Sequence, residues 1–202
     1  MSAFWRNFLR PAIVVLAGLT LVTGLAYPAV VTAVAQVAFP SQANGSMIVA
    51  DGRTVGSTLI GQAFSDPRYF WGRPSAAGQG YDGMASAGSN LGPTSSVLIT
   101  RIMAEVDRLR AANGGGAIPV DLVTTSASGL DPDVSPEAAA YQVARVATAR
   151  GIDPAAVEAA VARHTEGPLL GFLGQPRVHV LELNLDLDGL LTPAAATPSG
   201  AG

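Results

Sequence analysis

From Pro11 to Phe39 the chain runs PAIVVLAGLTLVTGLAYPAVVTAVAQVAF without one Asp, Glu, Lys, Arg or His. Charge stops at Arg10 and resumes at Asp51, and Ala12 to Phe39 alone is 28 residues. About 20 predominantly apolar residues suffice to cross the hydrocarbon core of a bilayer. Backbone amides find no water there and must pair within the segment, so the run predicts a single transmembrane helix. Pro28 removes one intrahelical hydrogen bond and predicts a bend in the second half. The surplus length predicts tilt, or a last turn standing above the membrane. A cleaved signal peptide is the other reading, with Arg6 and Arg10 as its basic start and Ala33-Val34-Ala35 as a small-x-small site. The run is about twice the usual 7–15 residues of a signal core, which favours the permanent span. Arg6 and Arg10 precede the span and the next basic residue is Arg53. The positive-inside bias therefore predicts a cytoplasmic N-terminus and an extracytoplasmic bulk after residue 40.

The chain beyond the span is long enough for one ordinary domain with its own core. Past residue 40 there are 10 Arg against 15 Asp and Glu, an acidic balance that argues against a nucleic-acid partner. Cysteine is absent, so disulfides and thiol chemistry are excluded. All 12 basic residues are Arg. Without Lys there is no Walker A loop, no Schiff base and no kinase-type nucleotide site. Any work with ATP must run through another subunit.

Residues 47–55 predict a hairpin about Asp51-Gly52, a pair that tolerates the positive φ of a tight turn. Residues 56–75 are dense in aromatics and breakers, and predict short strands and ordered loops. Residues 76–93 form a long Gly- and Ser-rich loop, a length that is functional or disordered in a compact domain. Leu98, Ile102, Val106 and Leu109 recur at helical spacing over 94–113, and Gly114-Gly115-Gly116 ends that helix. Pro119 to Thr125 is β-branched and predicts a strand. Ser135-Pro136 and Asp153-Pro154 each place a capping side chain before a first-turn proline, predicting helices over 135–150 and 153–165. Leu181, Leu183, Leu185 and Leu187 alternate with polar residues, predicting a strand over 178–187. The tail from about 191 to Gly202 carries Pro, Ala and Gly without an anchor and predicts disorder. The fold class expected is α+β: one N-terminal transmembrane helix (11–39), then a single extracytoplasmic domain (41–190) of about three helices and four to five short strands.

Side chains that could carry chemistry are few. Ser57, Ser89, Ser126 and Ser128 with His164 or His179 suggest a hydrolase, but Gly88-Ser89-Asn90-Leu91-Gly92 is not a nucleophile elbow. Asp131 and Asp133 flank a proline turn, where such carboxylates bond their own backbone. Asp186 and Asp188 are expected on a solvated strand face. The 88–92 loop could cradle an anion where it opens into a helix, though a tight turn explains it as well. Phe64, Tyr69, Phe70 and Trp71 are core or a docking face. Ala29 and Ala33, four apart in the span, permit close helix packing. An acidic outer domain could also gather cations near a pore through Asp131, Asp133, Asp186 and Asp188, within about 8 Å at physiological salt.

Four blocks, taken together, carry a resemblance. They are Gly56-Ser57-x-Leu59-Ile60-Gly61-Gln62-x-Phe64 with Tyr69-Phe70-x-x-Arg73-Pro74-Ser75-Ala76; Ser89-Asn90-Leu91-Gly92-Pro93-Thr94; Asp121 to Thr124 and Ser126 to Pro132, followed by Ser135-Pro136-x-Ala138-Ala139 and Gln142-x-x-Arg145-Val146-Ala147; and Gly174-x-Pro176-x-Val178 with Leu181-x-Leu183-Asn184. In this order behind one span they resemble the C subunit of the bacterial Kdp-type potassium-transporting ATPase, with His179 standing where an Asn is expected. The resemblance implies a non-catalytic accessory subunit in the bacterial inner membrane. Its partners would be a channel-like potassium subunit, a P-type ATPase subunit and a very small membrane subunit. It implies a role in assembly and in raising the ATPase subunit's affinity for ATP, with no cofactor of its own. Carried onto this chain, Gln142 becomes the nucleotide-related candidate. Ala29, Ala33, Tyr69, Phe70, Arg73, Asn90, Ser126, Ser128, Asp131 and Arg145 become candidate subunit contacts. Two alternatives remain: a membrane-anchored periplasmic hydrolase, and a purely structural scaffold.

Overall fold

The structure, a computed structural model, describes residues 2–189; the tail expected from 191 onward lies outside them. The chain divides into two compact units near Met47.

The first unit is a helical rod. After one turn at Ser2–Phe4, helix α1 runs unbroken over Trp5–Ala38 with no buried side chain. At 1.5 Å per residue it is about 50 Å long, against about 30 Å of hydrocarbon. The helix meets Pro28 with a π-helical turn over Thr20–Ala26 immediately ahead of it. Widening the ladder there accommodates the missing donor and the proline ring. Ala29 and Ala33 lie exposed on this rod. Phe39 leaves helical geometry, and a short helix α2 (Pro40–Ala43) follows.

The second unit opens with the expected hairpin, β1 (Met47–Ala50) and β2 (Arg53–Ser57), turning on Asp51 and Gly52 at φ +49° and +73°. No helix or strand spans 58–95. Helix α3 (Ser96–Asn113) stops at Gly114, whose φ of +82° a side chain would resist. Helix α4 (Pro136–Arg150) starts where the Ser135 hydroxyl accepts from Ala138 N at 3.1 Å, and ends on left-handed Gly151. Helix α5 (Pro154–Arg163) starts from the Asp153 carboxylate, which accepts from Ala155 N at 2.9 Å. Strands β3 (Asp133–Val134), β4 (Thr165–Glu166) and β5 (Arg177–His179) form an antiparallel sheet with β5 central. Val178 faces both Val134 and Thr165 and is fully buried. The core gathers Leu109 of α3, Val143 and Val146 of α4, Val157 and Val161 of α5, Phe70, Leu122 and Val178. Ala138, Ala139 and Ala147 let neighbouring elements approach α4 closely.

Two expected strands take other forms. Residues 119–125 hold a single 3-10 turn at Val120–Leu122. Leu122 and Val123 are both buried, which an alternating strand face does not allow, and Asp121 accepts from Ser135 N at 2.7 Å. In 178–187, only the first residues belong to β5; Val180–Leu187 is helix α6. Its buried residues are 180, 181, 183, 184 and 185. That is a helix enclosed on most sides, and every-other-residue leucines satisfy it as well as they satisfy a strand. The domain is mixed helix and sheet as expected, with α6 as a fourth helix.

Candidate functional site

The segment Asp66–Trp71 crosses the domain as irregular chain, so its backbone groups need partners from elsewhere. Two side-chain amides supply them. Asn184 of α6 accepts from Phe70 N at 2.8 Å and donates to Phe70 O at 3.0 Å. Gln142 of α4 accepts from Trp71 N at 2.8 Å and donates to Trp71 O at 3.1 Å. Each amide pairs one residue as a neighbouring strand would. Gln142 is 0 % exposed and also donates to Ala138 O at 3.1 Å.

Arg145 stands three residues on, the spacing that puts it on the same helix face. Its guanidinium donates to Gln142 Oε1 at 2.7 Å, Asn113 Oδ1 at 2.8 Å, Pro67 O at 2.6 Å and Tyr69 O at 3.0 Å. Its Cζ lies 3.9 Å from the centre of the Trp71 ring, and that of Arg108 lies 4.2 Å from it. Burial, then the charge of Arg108, pull the Arg145 pKa down to about 10. It therefore stays a cation at neutral pH, and its charge is met by carbonyl oxygens and an indole face. Tyr69 is held at its hydroxyl, which donates to Asp188 at 2.9 Å.

A second cluster joins the 73–88 loop to the 126–131 turn. Arg73 pairs with Asp131 at 2.8 Å and reaches the carbonyls of Thr124 and Thr125. The Ser75 hydroxyl donates to Gly129 O at 2.5 Å and accepts from Tyr81 N at 2.7 Å. Tyr81 donates to Arg73 O at 2.6 Å, and burial raises its pKa to about 12. Ser126 and Ser128 cap their own turn, accepting from Gly129 N at 2.9 Å and Leu130 N at 3.1 Å. A depression of about 240 Å³ between the two clusters is lined by Phe64, Trp71, Arg73, Tyr81, Glu105 and Arg108.

The structure thus brings Phe70, Tyr69, Gln142 and Arg145 together, and Arg73, Ser126, Ser128 and Asp131 together. Asn90 stands apart, exposed at φ +51°. Asn184, Trp71 and Arg108 complete the first group. Asn184 had a legible signal, a lone amide among leucines; Arg108 had none. The histidines also have structural partners. His164 Nε2 lies 3.1 Å from Asp186. His179 Nδ1 accepts from Glu182 N at 3.2 Å, so its Nε2 carries the proton donated to Thr58 O at 2.8 Å. Asp186 and Asp188 are not simply solvated, because they sit on α6 and at its C-terminal end rather than on a strand face. Asp131, Asp133, Asp186 and Asp188 pair with Arg73, Arg177, Arg163 and Arg150 respectively. Each of the four carboxylates that could gather cations therefore has an arginine beside it.

Among the described residues, one apolar helix long enough to cross a membrane precedes a mixed helix-and-sheet domain whose irregular segments are stapled by amides and arginines, which fits the class of single-pass membrane proteins. Comparison with known proteins places it further. Residues 9–189 match the family described as KdpC: K+-transporting ATPase, c chain. The chain is 62% identical over 184 residues to the potassium-transporting ATPase KdpC subunit of Sorangium cellulosum, covering 90% of this chain and 97% of that one. It is 59% identical to the same-named subunit of Variovorax paradoxus, over 91% and 96% of the two chains, and 56% identical to that of Caulobacter vibrioides, over 96% and 99%. The chain belongs to the KdpC family.

Proposed function

We propose that the protein is the non-catalytic accessory subunit of an ATP-driven potassium uptake complex in the bacterial inner membrane. The observation that carries this reading is the family match, which includes the apolar helix and the domain in one stretch, residues 9–189. Residues 1–10 lie in the cytoplasm, 11–39 span the bilayer and 41–190 lie outside, because Arg6 and Arg10 precede the span. A channel-like subunit, a P-type ATPase subunit and a very small membrane subunit are the partners. ATP belongs to the ATPase subunit, whose affinity for it this chain raises.

That effect is indirect. Gln142 has no exposed surface and holds the Trp71 backbone. Its nucleotide-related role therefore runs through the fold it maintains. Ala29 and Ala33 offer close approach to partner helices, Ser126 and Ser128 lie at the accessible edge of the second cluster, and Asn90 is exposed apart from it. Deleting the chain and passing the remaining detergent-purified subunits over gel filtration tests the assembly role: a larger dissociated fraction than in the complete complex supports it, and an unchanged fraction removes it.

A further inference from the structure

His179 joins strand β5 to helix α6, and its two ring nitrogens have opposite duties. Nδ1 accepts from Glu182 N at 3.2 Å and so caps α6, which begins at Val180. Nε2 donates to Thr58 O at 2.8 Å. Only the neutral imidazole with its proton on Nε2 does both, because the charged ring is a donor at both nitrogens. Protonation sets the ring N–H against the Glu182 N–H, and the cap is lost. Imidazole takes up that proton in mildly acidic water, where other side chains ordinarily do not titrate.

An acceptor for the new N–H stands opposite. Asp133 is the register partner of His179 across β3 and β5, and directly opposite residues have Cβ atoms about 4.5–5.5 Å apart. Arg177 meets Asp133 Oδ2 at 3.2 Å, whereas the buried Oδ1 has no hydrogen-bond partner among the described residues. Burial pushes the Asp133 carboxyl up, and His179 and Arg177 pull it back, so a closer cation offsets the cost of burial.

We infer that His179 is an acid-sensitive latch: neutral, it caps α6; protonated, it gives up Glu182 N, turns to Asp133 Oδ1 and loosens the start of α6. The charged groups around it are Asp133 and Asp131 beside β3, Glu166 on β4, Arg177 on β5 and Glu182 on α6, with Arg73 on Asp131. Four carboxylates against two guanidiniums leave room for a further cation. Thr58 contributes only its carbonyl. At the far end of α6, His164 lies 3.1 Å from Asp186; protonation there strengthens its pair and acts in the opposite sense. Loosening α6 reaches the aromatic segment, because Asn184 holds Phe70 and Asp188 holds the Tyr69 hydroxyl. With the domain outside the cell the latch responds to external pH, a point that rests on the topology proposed above.

The test is hydrogen–deuterium exchange of the full-length chain in detergent at pH 7.5 and pH 5.0, with exchange times scaled to the intrinsic rate at each pH. The natural chain should lose protection over Val180–Leu187 at pH 5.0 by at least about fivefold, the worth of a helix cap, while Pro136–Arg150 keeps its own. His179→Asn, whose side-chain oxygen caps at either pH, should hold α6 within about twofold. Asp133→Asn should move the midpoint of the α6 response to lower pH by at least about half a unit, since the charged ring loses the carboxylate that receives it. Equal pH responses in the natural chain and His179→Asn contradict the inference, as does an unmoved midpoint in Asp133→Asn. A loss of equal size over Pro136–Arg150 shows general acid unfolding and overturns it as well. The measurement uses the chain alone, so its failure leaves the accessory-subunit reading standing.

Discussion

Gln142 and Trp71 exchange two hydrogen bonds across 71 residues of sequence, the side-chain amide taking the Trp71 N–H and giving to its C=O. The core is thereby closed over a segment that has no strand neighbour. Gln142→Leu would leave both backbone groups buried without partners, at about 1–3 kcal/mol each. The expected outcome is a fall of several degrees in the thermal unfolding midpoint of the full-length chain in detergent, read by near-ultraviolet dichroism of the tryptophans. An unchanged midpoint would contradict this role.

Arg145 bonds four different acceptors from one planar fork. A lysine ammonium at that site reaches fewer of them and loses stacking on the indole. Arg145→Lys should cost about 2–3 kcal/mol, since hydrogen bonds from charged donors are worth about 1.5–3 kcal/mol each. Urea unfolding checks it; a loss below about 0.5 kcal/mol would show that charge alone suffices.

Asp186 gives the chain an acid limb. Partial burial pushes its carboxyl up, but the hydrogen bonds and charges of Arg163 and His164 outweigh that and hold it below the usual range. A folded-state pKa below the unfolded one means that the carboxylate stabilises the fold above the ordinary Asp value of about 3.9. The contribution is lost as pH falls through the folded value. Arg163 is more than half exposed, so solvent screens the pair and the effect is at most about 1 kcal/mol. Asp186→Asn should lower stability at pH 7 and flatten its fall below about pH 4; an identical acid limb in the variant would refute the assignment.

Gly129 is a tight backbone crossing of the second cluster. It sits at φ +68°, and a Cβ there would lie 2.5 Å from Ala87 O and 2.7 Å from Ala77 N. Both are backbone atoms, so the neighbours cannot simply rotate away. Gly129→Ala should destabilise by more than about 1 kcal/mol, the strain of the φ alone, and should raise proteolysis within 76–93. Equal protease resistance would contradict the packing of that loop on the turn.

Much of the fold is legible in the chain because local chemistry decides it. Ser135-Pro136 and Asp153-Pro154 start helices wherever they fall, Asp51-Gly52 turns a hairpin, and a chargeless run of this length is a helix. The helix expected over 153–165 ends at Arg163, and Thr165 pairs with Val178 in the sheet. Elements fixed by tertiary burial are harder to read: alternating leucines at 181–187 do not distinguish a half-buried strand from a helix enclosed on most sides. In the candidate site, Gln142 and Arg145 stand out through their shared helix face. Their purpose does not, since the Trp71 backbone they hold is 71 residues away from Gln142. The pairing of Asp186 and Asp188 is hidden for the same reason: Arg163 and Arg150 are neighbours of these carboxylates only after α4, α5 and α6 pack.

The most direct test of the accessory role is potassium-stimulated ATP hydrolysis across ATP concentrations, by the purified complex with and without this chain, with assembly of the remaining subunits verified. A severalfold rise in the apparent KM for ATP when the chain is absent from a still-assembled complex is the predicted result. Unchanged kinetics in that complex would contradict it.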